Sequence, residues 1–119
     1  MKDFRKLKVW EKSHQLTLEI YRATDHFPKD ELFGLISQLR RASVSVAANI
    51  AEGCGKKSDA DFGRFLGIAM GSASELDYLI LLATELDLFD ISNTTKLASE
   101  IIEVKKMLAT LKVKLKADR

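Results

Sequence analysis

The sequence predicts an all-α protein, an up-down-up-down antiparallel four-helix bundle that forms a single domain over residues 1–119. Apolar residues recur at helical spacing along four separate segments, and 46% of all residues are hydrophobic. The chain contains one proline, and no segment alternates apolar and polar residues as a half-buried strand would. The connections between the four segments are short, which favours antiparallel neighbours.

The first predicted helix runs from Val9 to Thr24, and its apolar face contains Val9, Trp10, Leu16, Ile20 and Tyr21. The turn around Pro28 ends this helix because proline disfavours helical geometry in the residue before it. The second helix is predicted to begin at Lys29 or Asp30 and to end at Gly53 and Gly55. Its predicted core face contains Leu32, Leu35, Leu39, Ala42, Val46 and Ile50.

The third helix begins at Ser58, which with Asp61 resembles a capping box. Its predicted core face contains Phe62, Phe65, Leu66, Ala69, Ala73, Leu76, Ile80 and Ala83. A break from Leu86 to Ile91 follows, and we expect Ser92 or Asn93 to cap the fourth helix. That helix carries Leu97, Ile101, Val104, Leu108, Leu111 and Leu115 on its core face.

Two of the helices carry small and apolar residues opposite the core face as well. These residues are Val44, Ala48 and Ala51 on the second helix, and Gly63, Gly67, Met70, Ser74, Tyr78 and Leu81 on the third. A helix that is apolar on two sides is usually buried on both. Glycine costs about 1 kcal/mol relative to alanine inside a helix, so Gly63, Gly67 and Gly71 indicate a close neighbour. We predict a homo-oligomer; alternatively, the glycines relieve crowding within one chain.

A polar stripe lies beside the core face of the second helix, formed by Gln38, Arg41, Ser45, Asn49 and Glu52. Buried polar groups need partners, and the antiparallel third helix offers Arg64, Ser72 and Glu75. We expect Arg41 and Glu75 to form an ion pair. Two interpretations remain open at this point: the network fixes helix register or subunit packing, or Asn49 and Glu52 contact a ligand.

No pattern in the sequence indicates catalysis. The only cysteine, Cys54, permits no disulfide within one chain and is expected to be a buried thiol. His14 and His26 lack the Glu-x-x-His spacing of a di-iron bundle and are expected at the surface. The segment GCGKKS lacks the first glycine of a phosphate loop and follows a helix. We predict no catalytic residue, no metal, no cofactor and no enzymatic activity.

Neither a signal peptide nor an uninterrupted apolar run of roughly 18 residues, as a membrane helix needs, is evident. We therefore expect a cytoplasmic protein without a membrane partner. Basic residues nevertheless cluster in three segments that the bundle topology brings to one end. The predicted phosphate-binding residues are Lys2, Arg5, Lys6, Lys8, Lys56, Lys57, Lys105, Lys106, Lys112, Lys114 and Lys116.

The charge of this end contrasts with the chain's net charge of +2. With Lys12, Arg64 and Arg119 added, and with Asp3, Glu11, Asp59, Asp61 and Asp118 subtracted, the end carries +9 and the remainder −7. Such an end attracts the phosphates of RNA or DNA. Alternatively, the lysines are ordinary solvated residues at helix ends. Trp10 is expected to be a core anchor in preference to a stacking platform.

Three segments resemble a known family: FRKLKVWEKSHQL, FPKDELFGLISQLRRASVSVAANIAEG and FGRFLGIAMGSASELDYLI. They look like the four-helix-bundle proteins encoded in intervening sequences of bacterial large-subunit ribosomal RNA genes, a family that includes the accessory variability proteins of diversity-generating retroelements. The resemblance covers nearly the whole chain, and NIAEG and GSASEL are its most specific parts. It implies a cytoplasmic bacterial bundle that assembles as a homopentamer with a basic surface. Retroelement members act with a reverse transcriptase and bind nucleic acid.

By motif match, the family's recurrent positions are Ser45, Asn49, Glu52, Gly53, Gly71, Ser72 and Glu75, and no catalytic role comes with them. Gly63 and Gly67 fall outside this pattern. We therefore predict a self-assembling accessory protein that binds nucleic acid or belongs to a ribonucleoprotein. The alternative is a protein-interaction scaffold that binds no nucleic acid.

Overall fold

Four long helices joined by short connections make up the protein in a computed structural model, which describes residues 2–117 and leaves the side chains of Phe33 and Ala117 undescribed. The helices are α1 (Lys8–Thr24), α2 (Ser37–Cys54), α3 (Asp59–Glu85) and α4 (Ile91–Ala117). A single 3-10 turn, Phe4–Lys6, precedes α1. Residues 2–117 contain no strand, so the predicted all-α class is confirmed.

Neighbouring helices run antiparallel around a bundle of 47 × 23 × 20 Å. Along α2 and α3, Ser45 meets Ser72 near the middle, and Gly53 meets Phe62 near the connecting turn. Helix α1 packs against both α2 and α4, which closes the bundle. The predicted up-down-up-down arrangement therefore describes the observed topology.

The core runs the length of the bundle and consists of the predicted apolar faces. Its fully buried side chains include Leu16, Ile20, Leu39, Ile50, Leu66, Leu76, Ile80, Leu97, Ile101 and Leu108. Two predicted core residues lie outside it: Leu32 is 47% exposed and Tyr21 is 41% exposed. Leu32 precedes α2 in an irregular turn, and Tyr21 lies at the edge of α1 beneath the Arg40 guanidinium.

The second helix begins later than its apolar pattern predicts. A 3-10 turn, Lys29–Glu31, and a π-helical turn, Leu32–Ile36, come before α2. Within the π-helical turn Gly34 has φ −107° and ψ −109°, a conformation that a residue without Cβ adopts most readily. Apolar spacing continues across this segment, so periodicity alone does not show the break.

No left-handed glycine ends α2, and Gly53 near its end serves close packing. Gly53 lies inside the helix, and Gly55 follows it with a right-handed φ of −81°. A Cβ on Gly53 would lie 2.9 Å from both the Phe62 Cδ1 and the Phe65 Cβ atoms. Gly53 therefore permits the approach of α3, which corrects its predicted role as a helix terminator.

The N-termini of α3 and α4 are capped by side chains. The Ser58 hydroxyl accepts the Asp61 backbone N–H at 3.1 Å, as the sequence predicts. At α4 the Asp90 carboxylate accepts the Asn93 backbone N–H at 2.7 Å. The predicted caps Ser92 and Asn93 are wrong, because α4 begins at Ile91 and both residues lie within its first turn.

Helix α3 is also apolar enough, by length and composition, to cross a membrane. An 18-residue window in it has a mean hydropathy of 1.4, and 39% of that window is buried in the bundle. The criterion of an uninterrupted apolar run does not detect this segment. A helix that forms the core of a bundle passes the same test, and α3 contributes several of the buried core residues.

Candidate nucleic-acid interface

One end of the bundle brings together the start of α1, the α2–α3 turn and the end of α4. The Lys2 backbone N–H donates to the Cys54 carbonyl at 3.0 Å, which holds the N-terminal segment beside the α2–α3 turn. The Lys112 Nζ lies 3.1 Å from the position that a Cβ on Gly67 would take. We call this end the basic pole; its exposed cations are Lys2, Arg5, Lys6, Lys8, Lys56, Lys57, Lys112, Lys114 and Lys116.

Aromatic rings lie beneath several cations of the pole. The Lys2 Nζ lies 5.5 Å from the centroid of the Phe62 ring. The Lys56 Nζ lies 5.2 Å and the Arg64 guanidinium carbon 4.5 Å from the centroid of the Phe65 ring. Both phenylalanines are buried in the first turns of α3, and cations over such rings are attracted electrostatically. The contacts place three positive charges around the α2–α3 turn.

Lys105 and Lys106, predicted at the pole, lie near the middle of α4. Lys105 is half-buried, and its Nζ lies 3.4 Å from an Asp77 carboxylate oxygen on α3. Each residue adds about 1.5 Å of rise, which puts both lysines far from the helix end. Their predicted place at the pole is wrong. Asp118 and Arg119, which the sequence-based charge of +9 includes, lie outside the described residues.

Several lysines away from the pole form ion pairs with carboxylates, although Lys29 and Lys106 form none within residues 2–117. Away from the pole, Lys12 pairs with Glu103 at 2.8 Å, and Lys96 pairs with Glu19 at 3.0 Å. The hydrogen bond that Lys12 donates to Glu103 raises the pKa of Lys12, and the one that Lys96 donates to Glu19 raises the pKa of Lys96. Among residues 2–117, the lysines of the pole form no ion pair within 4.0 Å. Their charge is available to a phosphate.

A network of three polar side chains joins α2 to α3 midway along the bundle. The Ser45 and Ser72 hydroxyl oxygens lie 2.8 Å apart. The Asn49 amide donates to the Ser45 carbonyl at 2.8 Å and to the Ser45 hydroxyl at 3.1 Å. All three side chains are half-buried. The predicted polar stripe is thus satisfied within the chain at these positions, and the contacts favour its structural interpretation.

The outer members of the stripe do not join this network. Arg41 and Glu75 line one shallow depression with Gln38 and Ser45, but they form no ion pair within 4.0 Å in the described part of the chain. Glu52 is exposed, so the expectation of a buried carboxylate there is wrong. Arg64 lies over Phe65 and 3.9 Å from Asp61, away from the network.

The neighbouring arginine, Arg40, makes polar contacts with the C-terminal end of α1. It donates to the Thr24 hydroxyl at 2.9 Å and forms an ion pair with Asp25 at 3.0 Å. Arg40 and Arg41 are adjacent in the sequence, and the rotation of α2 about its axis decides which of the two faces α1. The spacing of residues along one helix does not determine how that helix is rotated against its neighbours.

A groove between α1 and α4 holds a feature that sequence reasoning missed. It is lined by Lys8, Glu11, Lys12, Gln15, Glu19, Glu100, Glu103, Val104 and Met107. Burial, a hydrogen bond with Glu19 and the negative charge of Glu19 raise the pKa of Glu100 to about 7. Glu19 and Glu100 are distant in sequence, and only the antiparallel packing of α1 on α4 brings them together.

The remaining chemistry-bearing residues have structural surroundings. Cys54 is buried as predicted, and burial raises the pKa of its thiol, an effect that Lys2 partly offsets. His26 is exposed, whereas His14 is half-buried and stacked on Trp10. Trp10 is half-buried and packs against the core, as predicted for a core anchor, and part of its surface stays exposed.

A family model described as 23S rRNA-intervening sequence protein matches residues 5–110. This match covers α1, α2 and α3 in full and most of α4. The chain belongs to the 23S rRNA-intervening sequence protein family. No curated protein matches the chain.

A solved structure supports the fold of this family member independently. It is the crystal structure of a protein of unknown function from the S23 ribosomal protein family of Bacteroides thetaiotaomicron. The two chains share 25% identity with a TM-score of 0.78, and the match covers 87% of this chain and 96% of the other. The family-wide resemblance in the sequence is therefore confirmed for the intervening-sequence proteins and for the helical bundle.

Proposed function

We propose that this protein is a non-enzymatic, self-assembling RNA-binding protein that acts as an accessory component of a ribonucleoprotein. The observation that carries the proposal is the basic pole, where three segments of a nearly neutral chain converge. Phosphate contacts release counterions and give binding that weakens steeply with salt. The name of the matched family refers to 23S rRNA, and for this reason we propose RNA before DNA.

Self-assembly is proposed for the outward faces of α2 and α3, which we call the α2–α3 face. It exposes Val44 on α2 and Ile68 and Tyr78 on α3, with Tyr78 59% exposed. Between them, a Cβ on Gly71 would meet no atom within 4 Å. A glycine inside a helix costs about 1 kcal/mol, and no residue that the structure describes requires one at Gly71. A second copy packed closely on this face would account for both features.

Gly67 has a different explanation from Gly71. The Lys112 side chain lies against Gly67, and Gly63 is buried. The burial of Gly63 fits the alternative in the sequence analysis, in which glycine relieves crowding within one chain, whereas the flexible end of Lys112 could move away from a Cβ at position 67. Arg41 and Glu75 border the α2–α3 face, and we propose that they pair with a neighbouring copy. The resemblance predicts five copies.

Size-exclusion chromatography with light scattering, repeated with an added single-stranded RNA, tests both parts of the proposal. We expect an oligomer that takes up RNA at about 50 mM salt and releases it at about 500 mM salt. The variant Ile68→Glu should reduce the mass to that of a monomer. The control Ile102→Glu changes an exposed isoleucine on α4, outside the α2–α3 face, and should leave the mass unchanged. A wild-type protein that is monomeric and does not bind RNA at low salt would overturn the proposal.

A protein-interaction scaffold is the second candidate function, and the exposed apolar residues of the α2–α3 face favour it. Under this alternative the face binds a different polypeptide and the basic pole binds no RNA. An oligomer or monomer that shows no RNA uptake at any salt concentration would support it. A reverse transcriptase partner, DNA as the ligand and a cytoplasmic location remain predictions from the sequence.

A further inference from the structure

Four side chains at the start of the protein form a continuous cluster. The Arg5 guanidinium carbon lies 4.4 Å from the centroid of the Phe4 ring. Phe4 meets the Trp10 ring edge to face, with centroids 4.8 Å apart and an interplanar angle of 63°. Trp10 and His14 are nearly parallel, with centroids 4.9 Å apart and an angle of 8°. The rings of one 3-10 turn and two turns of α1 thus form one cluster.

This cluster lies beside the core and reaches the surface. Val9, Leu16 and Ile20 form the buried stripe of α1, and Trp10 and His14 lie roughly a quarter-turn away from it, by the 100° between successive helical residues. Phe4, Trp10 and His14 are all half-buried. Packing of the N-terminal segment explains why the rings touch one another. This packing does not explain why part of the ring surface of Trp10, the single tryptophan, remains exposed.

The cluster also belongs to the basic pole. The Lys2 hydrogen bond to Cys54 holds this segment beside the α2–α3 turn, where Lys56 and Lys57 are exposed. Arg5 has a 70% exposed side chain and lies 3.5 Å from Asp3. Proteins that bind single-stranded RNA combine such cations, which contact phosphates, with partly exposed aromatic rings, on which unpaired bases stack.

We propose that Phe4, Trp10, His14 and Arg5 form a stacking site for unpaired RNA bases. This inference rests on the proposed RNA binding and adds to it a preference for single strands. A duplex presents phosphates to the basic pole but keeps its bases stacked inside. The stacking site therefore contributes to binding of a single strand and contributes nothing to binding of a duplex.

Trp10 is the only tryptophan, so its fluorescence reports on this site without a mutation. We would titrate the protein with a single-stranded adenosine oligonucleotide, whose bases are unpaired, and with an RNA duplex of equal length at about 50 mM salt. Anisotropy of end-labelled RNA measures binding in parallel. We expect the single strand to quench Trp10 fluorescence in proportion to the bound fraction, and the duplex to bind without comparable quenching.

A matched pair of variants tests the same site by affinity. Trp10→Leu keeps an apolar side chain against the core and removes the ring, and it should weaken single-strand binding about five- to 150-fold, the effect of losing one stacked base. Duplex affinity should change little. Tyr21→Leu removes an exposed aromatic ring farther along α1 and should leave both affinities unchanged. Thermal unfolding confirms that each variant is folded, and quenching of wild-type Trp10 does not depend on the variants.

The outcomes separate this inference from the function on which it rests. Salt-dependent RNA binding with unchanged Trp10 fluorescence, and with equal affinity in Trp10→Leu, would overturn the stacking site and leave the proposed function standing. Absence of RNA binding at low salt would overturn both. Equal quenching by duplex and single strand would overturn the preference for unpaired bases.

Discussion

The Ser45 and Ser72 hydroxyl oxygens lie 2.8 Å apart and join α2 to α3 midway along the bundle. Asn49 donates to the same Ser45 hydroxyl at 3.1 Å, so each group in this half-buried network has a partner. A hydrogen bond of this kind contributes about 1 kcal/mol to stability, and it fixes the axial position of two helices whose core residues are apolar and pack without directional bonds.

Replacing one hydroxyl should therefore destabilise the protein measurably. Ser72→Ala should lower the free energy of unfolding by about 1 kcal/mol, because the Ser45 hydroxyl loses a partner in a half-buried position. Urea unfolding followed by circular dichroism measures the change. Ser74→Ala, on the exposed side of the same helix, is the control and should stay within about 0.5 kcal/mol of wild type. Equal effects of the two substitutions would contradict a structural role for the network.

Gly53 should tolerate no side chain. A Cβ there would lie 2.9 Å from Phe62 and Phe65 atoms, so Gly53→Ala should destabilise the protein by about 1–3 kcal/mol through overpacking. Gly67→Ala is the matched control, because its Cβ would meet only the flexible end of Lys112. The control should be neutral or stabilising by up to about 1 kcal/mol through improved helix propensity. Urea unfolding of both variants decides the point, and a neutral Gly53→Ala would refute the close approach of α3.

Glu100 should make stability depend on pH. Burial, followed by the hydrogen bond and charge of Glu19, raises the pKa of Glu100 to about 7 in the folded protein, against 4.5 for an ordinary glutamate. The folded state then binds the proton more tightly than the unfolded state does. This contribution to stability is fully present below the unfolded pKa and is lost as the pH rises towards the folded pKa.

The variant Glu100→Gln removes this titration. We expect the melting temperature of the variant minus that of wild type to increase between about pH 5 and about pH 8. The reason is that only wild type must place a charge in the groove at the higher pH. Glu103→Gln is the control: Glu103 lies in the same groove but pairs with Lys12 at 2.8 Å, so its removal should bring no such gain. A constant difference between Glu100→Gln and wild type across this range would disprove the proton-binding role.

Charge reversal at the end of α4 should weaken RNA binding. Replacement of Lys112, Lys114 and Lys116 by glutamate should lower affinity and flatten the dependence of log Kd on log salt, by roughly one unit of slope for each phosphate that the variant no longer binds. Fluorescence anisotropy at several salt concentrations measures both quantities. Lys29→Glu, at the opposite end of the bundle, is the control for a charge reversal away from the pole and should have little effect. Unchanged RNA affinity in the triple variant would contradict the proposed function of the basic pole.

Several local features of the fold are predictable because their causes lie within a few residues. Apolar spacing along the chain predicts all four helices and nearly all of the buried core, since helical periodicity decides which side of each helix is apolar. Ser58 is recognisable as a cap because the capping hydrogen bond spans three residues. Asp90 is harder to recognise because two other good capping residues, Ser92 and Asn93, follow it closely.

The sequence by itself determined the helical bundle, the family and the three basic segments, because periodicity, motif and charge are all properties of the chain read in order. Only the tertiary structure decided that Arg40 contacts α1 while Arg41 does not, and that Gly53 admits α3. It alone brought Glu19 to Glu100 and stacked Trp10 on His14 beside the basic pole. These relationships depend on how each helix is rotated and shifted against its neighbour. Packing of the whole core sets that geometry, and no single segment contains it.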